Sequence, residues 1–193
     1  MTNRDRQALE SKARIFNAST NLIREKGYDN VTIEDICNKT GMSVGAFYHY
    51  FKSKSEIVAH SQLFYNEALE KALKESRGLN AKQTFENVIA AIVKHVTIDG
   101  LELCRERSKQ IMSGRFFTDS VDFHSVLYNL IIDKALENDE FRPGLDDRMS
   151  IIGYLSTNVT GWFACWCVAG ETLSFADIVI PQSQFLMKTL FKD

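Results

Sequence analysis

The chain has 193 residues, of which 45% are hydrophobic and 25% charged, and its formal net charge at pH 7 is −2. This composition is typical of a globular protein with one sizeable core, or with a small domain joined to a larger one. The charged N-terminus excludes a signal peptide, and the four cysteines lack the spacing of a disulfide framework, so we expect a cytoplasmic protein.

Apolar residues recur at helical spacing along nearly the whole chain, and no convincing alternating strand pattern is present. The predicted fold class is therefore all-α. The first predicted helix ends before Gly27, with Leu9, Ala13 and Phe16 on its inner face. Residues 1–54 contain nine basic side chains against six acidic ones, whereas the rest of the chain is net acidic. This asymmetry indicates that the N-terminal part meets a polyanion.

Two short helices are predicted next, over residues 32–40 and 43–50. Thr32 is the expected N-cap of the first, with Asp35 at the spacing of a capping box, and Ser43 is the expected N-cap of the second. The connecting letters "TGMS" place Gly41 where a tight turn needs a positive φ angle. These dimensions are those of a helix-turn-helix. The alternative is a helical hairpin with surface tyrosines and no DNA contact.

The helix over 43–50 has two different faces. Phe47 and Phe51 are four residues apart and are expected to pack inward. Tyr48, His49 and Tyr50 are then directed outward to varying degrees. Lys52 and Lys54 follow them, and outward hydroxyl and ammonium groups suit contacts with DNA phosphates.

A long fourth helix is predicted from Ser53 to about residue 77. Later helices are expected at about 81–99, 101–113, 119–139, 146–169 and 174–191. Pro181 falls inside the last of these, and we expect it to kink or restart that helix.

The N-terminal part resembles the DNA-binding domain of the TetR family of bacterial transcription repressors. The resemblance runs through "ARIFNAS", "GYDNVTIEDI" and "TGMSVGAFYHYFKSKSEIV", covering about residues 10–58. The positions that carry it are Ala18, Gly27, Thr32, Ile36, Gly41, Ser43, Gly45, Tyr48, Tyr50, Phe51, Lys54 and Ile57. The resemblance implies a helix-turn-helix domain over residues 1–52 and a helical effector-binding and dimerisation domain over residues 53–193.

The resemblance also implies a function. A homodimer would place two recognition helices in successive major grooves of a palindromic operator, and a small-molecule effector would release it. The residues expected to contact DNA are Thr32, Ser43, Val44, Gly45, Ala46, Tyr48, His49, Tyr50, Lys52 and Lys54, with Val44, Gly45, Ala46 and His49 nearest the bases. The chain departs from the family pattern at Cys37, Thr40 and Ala46. Without a hydroxyl at residue 46, Val44 and Ala46 are left to read thymine methyl groups.

Residues 149–170 carry no charge and are long enough to cross a bilayer. Their serines, threonines and asparagine, together with flanks that lack a polybasic anchor, favour a helix buried between subunits instead. We therefore expect a four-helix interface between two copies of the chain. The residues expected in it are Ile152, Leu155, Val159, Phe163, Phe185, Leu186 and Leu190.

The second part also contains candidates for an apolar effector pocket. They are Phe85, His95, Cys104, Met112, Phe116, Phe117, Phe123, His124, Tyr128, Trp162 and Trp166; the alternative for each is an ordinary core residue. In "FACWC", Cys165 and Cys167 are two apart on a helix and diverge, so buried structural thiols are favoured over a redox or metal pair. We expect no metal, no cofactor and no membrane association.

Two other functions compete with a DNA-binding regulator. One is a small-molecule-binding helical protein that does not bind an operator. The other is an enzyme, although the sequence contains no phosphate-binding loop, nucleophile elbow or zinc-binding HExxH helix.

Overall fold

The computed structural model describes residues 2–113 and 120–192. Within these residues the chain forms nine α-helices and one short 3₁₀ turn, which confirms the all-α prediction. The helices are α1 (Asn3–Lys26), α2 (Ile33–Thr40), α3 (Val44–Tyr50), α4 (Lys54–Glu75), α5 (Ala81–Asp99), α6 (Leu101–Met112), α7 (Ser120–Glu137), α8 (Arg148–Ala169) and α9 (Phe175–Leu190), with the 3₁₀ turn at Gly170–Thr172.

Local capping determines several helix starts. The Thr32 hydroxyl accepts a hydrogen bond from the Asp35 amide, and the Asp35 carboxylate accepts one from the Thr32 amide, so the predicted capping box is confirmed. The same arrangement links Ser174 to Asp177 at the start of α9. These reciprocal bonds satisfy amides that have no partner inside the helix.

The described chain forms two compact units. The first contains the residues up to Leu63 together with Asp99–Ser113, and the second contains Phe64–Ile98 and the described residues after Ser113. The sequence places the division after residue 52 instead. The difference arises because the first ten residues of α4 and all of α6 pack with the N-terminal helices.

The first unit has one apolar core. Its buried residues are Ile15, Leu22, Ile23, Val31, Ile36, Cys37, Phe47, Phe51, Ile57, Val58 and Leu103. Leu9 and Ala13 do not take part, contrary to the expected inner face of α1, and Leu9 is 58% exposed. The packed stripe of α1 runs instead through Ile15, and Leu9 lies about 120° of helical rotation away from it.

Contacts between helices, and hydrogen bonds to the C-terminal segment, stabilise the second unit. Trp166 and Phe175 join α8 to α9, with ring centroids 5.2 Å apart. The Glu140 carboxylate accepts a 2.7 Å hydrogen bond from the Ala81 amide at the start of α5. The backbone on either side of Phe141 also pairs with the end of the chain, since the Lys192 amide donates to the Glu140 carbonyl and the Arg142 amide donates to the Leu190 carbonyl.

Helix α9 runs without interruption through Pro181, so the expected restart at this residue is wrong. Proline at this position removes one backbone donor, which would otherwise bond the carbonyl four residues earlier. The burial of Phe175, Val179 and Leu186 on either side outweighs that loss. Across the described residues, no helix, including α8 with its uncharged stretch after Arg148, is long and apolar enough to span a membrane.

Candidate nucleic-acid interface

The turn between α2 and α3 closes as a helix-turn-helix requires. Gly41 ends α2 with φ 67° and ψ 23°, a left-handed conformation that favours glycine. The Met42 amide then donates to the Cys37 carbonyl at 3.1 Å. Ser43 caps α3, its hydroxyl oxygen accepting from the Ala46 amide at 3.2 Å. The two short helices are thus fixed by contacts within a few residues.

The two departures in α2 are accommodated by the fold. The Thr40 hydroxyl donates to the Ile36 carbonyl at 2.8 Å, so it needs no partner outside its own helix. Cys37 is buried in the core of the first unit, where burial raises the pKa of its thiol. Neither residue is placed to contact a ligand.

Helix α3 is buried on one side and open on the other. Phe47 is fully buried and Phe51, its C-cap, is 1% exposed, as the spacing predicted. On the open side Tyr48 is 52% exposed and Val44 40% exposed, while Gly45 and His49 are also exposed. Because the buried rings fix the rotation of α3, these side chains form a defined outward surface.

Two of the predicted contact residues are only half-buried at the edge of that surface. Ala46 is half-buried, and its amide donates to the Ser43 hydroxyl that caps α3. Tyr50 packs against the core, and its ring centroid lies 4.9 Å from that of His49. The side chain of Lys52 is exposed, and its amide donates to the Glu56 carboxylate at 2.5 Å.

Lys54 is bound within the first unit. Its ammonium donates to the backbone carbonyls of Tyr28 and Val31, the latter at 2.7 Å, and lies 4.1 Å from the centre of the Tyr28 ring. Burial lowers the pKa of this lysine, opposed by the nearby carboxylates of Asp29 and Glu106. The sequence motif gave no sign of this role, because the partners lie 23 and 26 residues away.

Thr32 is likewise used within the fold. Its hydroxyl donates to the Asp35 carboxylate at 2.8 Å while accepting from the Asp35 amide. These bonds hold the pKa of Asp35 below its usual value. Contacts of Thr32 and Lys54 with phosphate therefore stay predictions, and each would compete with an internal hydrogen bond.

The candidate pocket residues do not belong to one place. Phe85, Tyr128, Trp162 and Trp166 are buried in the second unit, where the Trp166 indole donates to the Leu173 carbonyl at 3.2 Å. His95 is half-buried in the same unit, with its ring 5.4 Å from that of Tyr65.

The other pocket candidates divide into two groups. Cys104 is a core residue of the first unit and Met112 is 87% exposed, so assigning these two to an apolar pocket in the second part is wrong. The α6 periodicity gave no means of telling which unit this helix joins. Phe116 and Phe117, and the side chains of Phe123 and His124, lie outside the described residues.

A polar cavity of about 100 Å³ in the first unit was not foreseen. It lies between the end of α1 and α6, and it is lined by Gly27, Tyr28, Asp29, Asn30, Glu102, Arg105, Glu106 and Lys109. Glu102 and Arg105 form an ion pair there at 2.9 Å. Its charged lining does not resemble the expected apolar pocket.

The predicted interface residues are only partly available to a second copy. Leu155, Leu186 and Leu190 are core residues of the second unit, so their assignment to the interface is wrong. Ile152, Val159 and Phe163 are half-buried, and Phe185 is 69% exposed. The exposed apolar residues on α8 and α9 are Met149, Tyr154, Val168, Ile180 and Phe185. A helix that is apolar on all sides gives no pattern from which to choose its outer face.

The cysteines of α8 also differ from expectation. Cys165 is exposed and Cys167 half-buried, so buried structural thiols are the wrong interpretation for Cys165. Neither residue forms a disulfide with a described partner. Among the described residues there is no cluster of His, Cys, Asp and Glu that could hold a metal ion.

Comparison with known proteins agrees with this geometry. The family model described as "Bacterial regulatory proteins, tetR family" matches residues 15–60, which include α2 and α3. The chain is 29% identical over 147 residues to the HTH-type transcriptional regulator YvdT of Bacillus subtilis (strain 168), covering 70% of this chain and 72% of the relative.

Solved structures share the fold over almost the whole chain. One is a transcriptional regulator from Saccharomonospora viridis in complex with choline, with a TM-score of 0.72, 17% identity, and coverage of 95% of this chain and 99% of the other. Another is a gamma-butyrolactone receptor described as ArpA-like, with a TM-score of 0.68, 15% identity, and coverage of 96% and 90%. The matched proteins are regulators rather than enzymes, as the sequence predicted. Residues 15–60 therefore carry the N-terminal domain of the TetR family of bacterial transcriptional regulators.

Proposed function

We propose that this regulator represses transcription by binding a palindromic DNA operator as a homodimer, and that a small apolar or aromatic effector releases it. The observation that carries the DNA-binding part is the outward surface of α3. There, Tyr48 and Val44 are about half exposed, whereas Phe47 on the same helix is fully buried. Because its buried residues fix the rotation of α3, the helix presents the same side chains to DNA in every molecule.

The chemistry of this surface fits the major groove of DNA. The Val44 and Ala46 side chains are small and apolar, which suits contact with thymine methyl groups, and Gly45 allows the backbone to approach the base edges. The exposed imidazole of His49, on the same surface of α3, can form hydrogen bonds with base edges. Tyr48 and Lys52 carry exposed polar ends suited to phosphate oxygens, which fix position rather than sequence.

The second copy is proposed to pack on the exposed apolar residues of α8 and α9. Val168 is 87% exposed and Phe185 69% exposed, which is unusual for two large apolar side chains. On α8 the small residues Gly161 and Ala164 lie near the same face and permit close approach of another helix. Two-fold symmetry would then set the two α3 helices about one turn of DNA apart.

The effector is proposed to enter the second unit, where aromatic side chains are concentrated. Phe163, Trp166 and Phe175 form a cluster of rings with centroid separations of 5.2 to 6.0 Å. The S. viridis regulator, which shares this fold, was solved with choline, a ligand suited to aromatic surroundings. An effector releases DNA only if it binds the non-binding conformation more tightly than the DNA-bound one.

Selection of binding sites from a random duplex library, followed by fluorescence anisotropy on the selected duplex, tests the proposal. We expect a palindromic site with two half-sites, bound more weakly as salt rises. Tyr48→Phe should weaken binding about tenfold per half-site, and so about a hundredfold for the dimer, because each subunit loses one hydrogen bond to a charged oxygen worth about 1.5 kcal/mol. His49→Ala should instead change the preferred bases.

The alternative of a helical small-molecule-binding protein predicts a different outcome. In that case the library would yield no enriched sequence, and Tyr48→Phe would have no effect on any duplex. A thermal-shift screen with apolar and cationic aromatic-binding compounds would still raise the melting temperature. Enrichment of a non-palindromic site would contradict the homodimer while retaining DNA binding.

A further inference from the structure

The leading turns of α1 (residues 3–14) are ordered but precede the family-matched segment, which begins at residue 15. Their order has a local cause. Thr2 caps the helix, accepting from the Asp5 amide, and the Asp5 carboxylate accepts in return from the Thr2 amide at 2.8 Å. The helix is therefore a defined arm from its first residue.

Lys12 locates this arm next to the end of the recognition helix. Its ammonium lies 5.3 Å from the centre of the Phe51 ring, within the range of a cation–π contact. Phe51 is the C-cap of α3, and exposed Lys52 follows it directly. The face of α1 that carries Lys12 thus adjoins the end of α3 from which the proposed phosphate contacts arise.

Arg4 lies on this same face of α1. Arg4, Ala8 and Lys12 are spaced by four residues and share one side of the helix. Ala8 and Lys12 are half-buried, whereas Arg4 is exposed, so the packed body of the first unit ends between residues 8 and 4. The Arg4 Cα lies about 12 Å along the helix axis from that of Lys12.

The acidic residues of the arm have other partners. Asp5 is used by the Thr2 cap, and Glu10 pairs with Arg6 at 3.7 Å. Arg4 makes no ion pair with any residue that the structure describes. Its exposed guanidinium lies on the same side of α1 as Lys12, and clustered cations suit the backbone of a duplex.

We propose that Arg4, together with Lys12, binds backbone phosphates of the operator outside the base pairs that α3 reads. The inference rests on the proposed DNA-binding function and extends it to residues beyond the helix-turn-helix. These contacts fix position and add affinity without reading sequence. They also explain why the chain keeps two ordered turns of helix ahead of its packed core.

The experiment compares Arg4→Gln with Arg6→Gln on the selected operator duplex. Arg6 is exposed on the same helix, but it lies about 160° of rotation from Arg4 and about 120° from Lys12, so the control makes the same charge change on another face. The dissociation constant is measured by anisotropy from 50 to 300 mM salt. A lost phosphate contact lowers the slope of log affinity against log salt by about 0.9, or about 1.8 for a dimer.

We expect Arg4→Gln and Lys12→Gln each to lower the slope by this amount, with Arg6→Gln indistinguishable from wild type. Trimming the base pairs that flank the two half-sites should abolish the difference between Arg4→Gln and wild type. Thermal unfolding of Arg4→Gln should match wild type, because its side chain is exposed.

Either of two results would overturn the inference, and a third would also overturn the proposed function on which it rests. Equal slopes for Arg4→Gln and Arg6→Gln would mean that only net charge matters. An Arg4 effect that survives trimming would place the contact inside the half-sites. If wild-type protein binds no duplex from the library, the proposed function itself fails, and this inference fails with it.

Discussion

Replacing Lys54 by methionine tests whether this residue holds the first unit together. The change keeps most of the apolar stem but removes the ammonium, which donates to the Tyr28 and Val31 carbonyls and lies over the Tyr28 ring. The sequence interpretation expects loss of operator binding with an intact fold. The structure leads to a different expectation, because both carbonyls belong to the loop between α1 and α2.

The magnitude follows from the contacts. A hydrogen bond to a charged group contributes about 1.5–3 kcal/mol, and the cation–π contact about 0.5–1 kcal/mol. Lys54 is only half-buried, so water can replace part of these interactions in the variant. We therefore expect Lys54→Met to lower the free energy of unfolding by about 2–3 kcal/mol, a large share of the roughly 5–15 kcal/mol typical of a domain.

Urea unfolding followed by circular dichroism measures this loss, and hydrogen exchange of the α2 amides shows whether it is local. Lys52→Met is the matched control, since Lys52 is a neighbouring exposed lysine. It should change the free energy of unfolding by less than about 0.5 kcal/mol. If Lys54→Met unfolds like wild type while binding DNA weakly, the bonds to the loop contribute little and phosphate contact is the main role of Lys54.

Four further expectations concern capping, pH, thiols and assembly. Thr32→Ala should cost about 1 kcal/mol of stability in urea, whereas Thr32→Ser should retain most of it, because serine keeps the capping oxygen. Hydrogen bonds from Ser174 hold the pKa of Asp177 below its usual value. The contribution of Asp177 to stability is therefore complete above its unfolded pKa and is lost as pH falls through its folded pKa. Asp177→Asn should lower the urea midpoint at pH 7 by more than at pH 2.5, and equal losses at the two pH values would contradict this. When the proposed dimer is dissociated, Cys165 should react with Ellman's reagent before any other thiol, and the two buried thiols only on unfolding. Phe185→Asp should shift the protein towards monomer in light scattering. The Phe185 side chain is 69% exposed in one chain, and burying that apolar surface in the interface contributes about 3 kcal/mol per side chain. Gln184→Asp, at the neighbouring exposed residue, should leave assembly unchanged.

The parts of the fold that sequence predicts well are those determined by near neighbours. Thr32 and Asp35 are three residues apart, and so are Ser43 and the amide it caps, so spacing alone reveals the bonds. Phe47 and Phe51 are similarly revealed as an inward pair. Within this segment, residue type and position leave little choice of conformation.

The features that the sequence did not reveal depend on distant partners. Lys54 has a phosphate-binding spacing within its motif, but its bonding partners belong to a loop more than twenty residues earlier. On α8, Leu155 and Val168 are both apolar, yet the first is 1% exposed and the second 87%. Periodicity cannot distinguish them when residues on every side of a helix are apolar, so only the packing of α7 and α9 decides which face is covered.

The position of α6 explains why a boundary after residue 52 does not separate two self-sufficient parts. Ile57, Val58 and Leu103 are fully buried in the core of the first unit, although all three follow that boundary. Burying each such side chain contributes about 1.5–3 kcal/mol, so together they supply about 5–9 kcal/mol, comparable to the whole stability of a small domain. Contacts at the base of α6 are equally close, since a Cβ on Gly100 would lie 3.0 Å from the Arg24 side chain. The helix-turn-helix therefore depends on residues from α4 and α6 for its core, and any displacement of α6 must also disturb the packing that fixes α3.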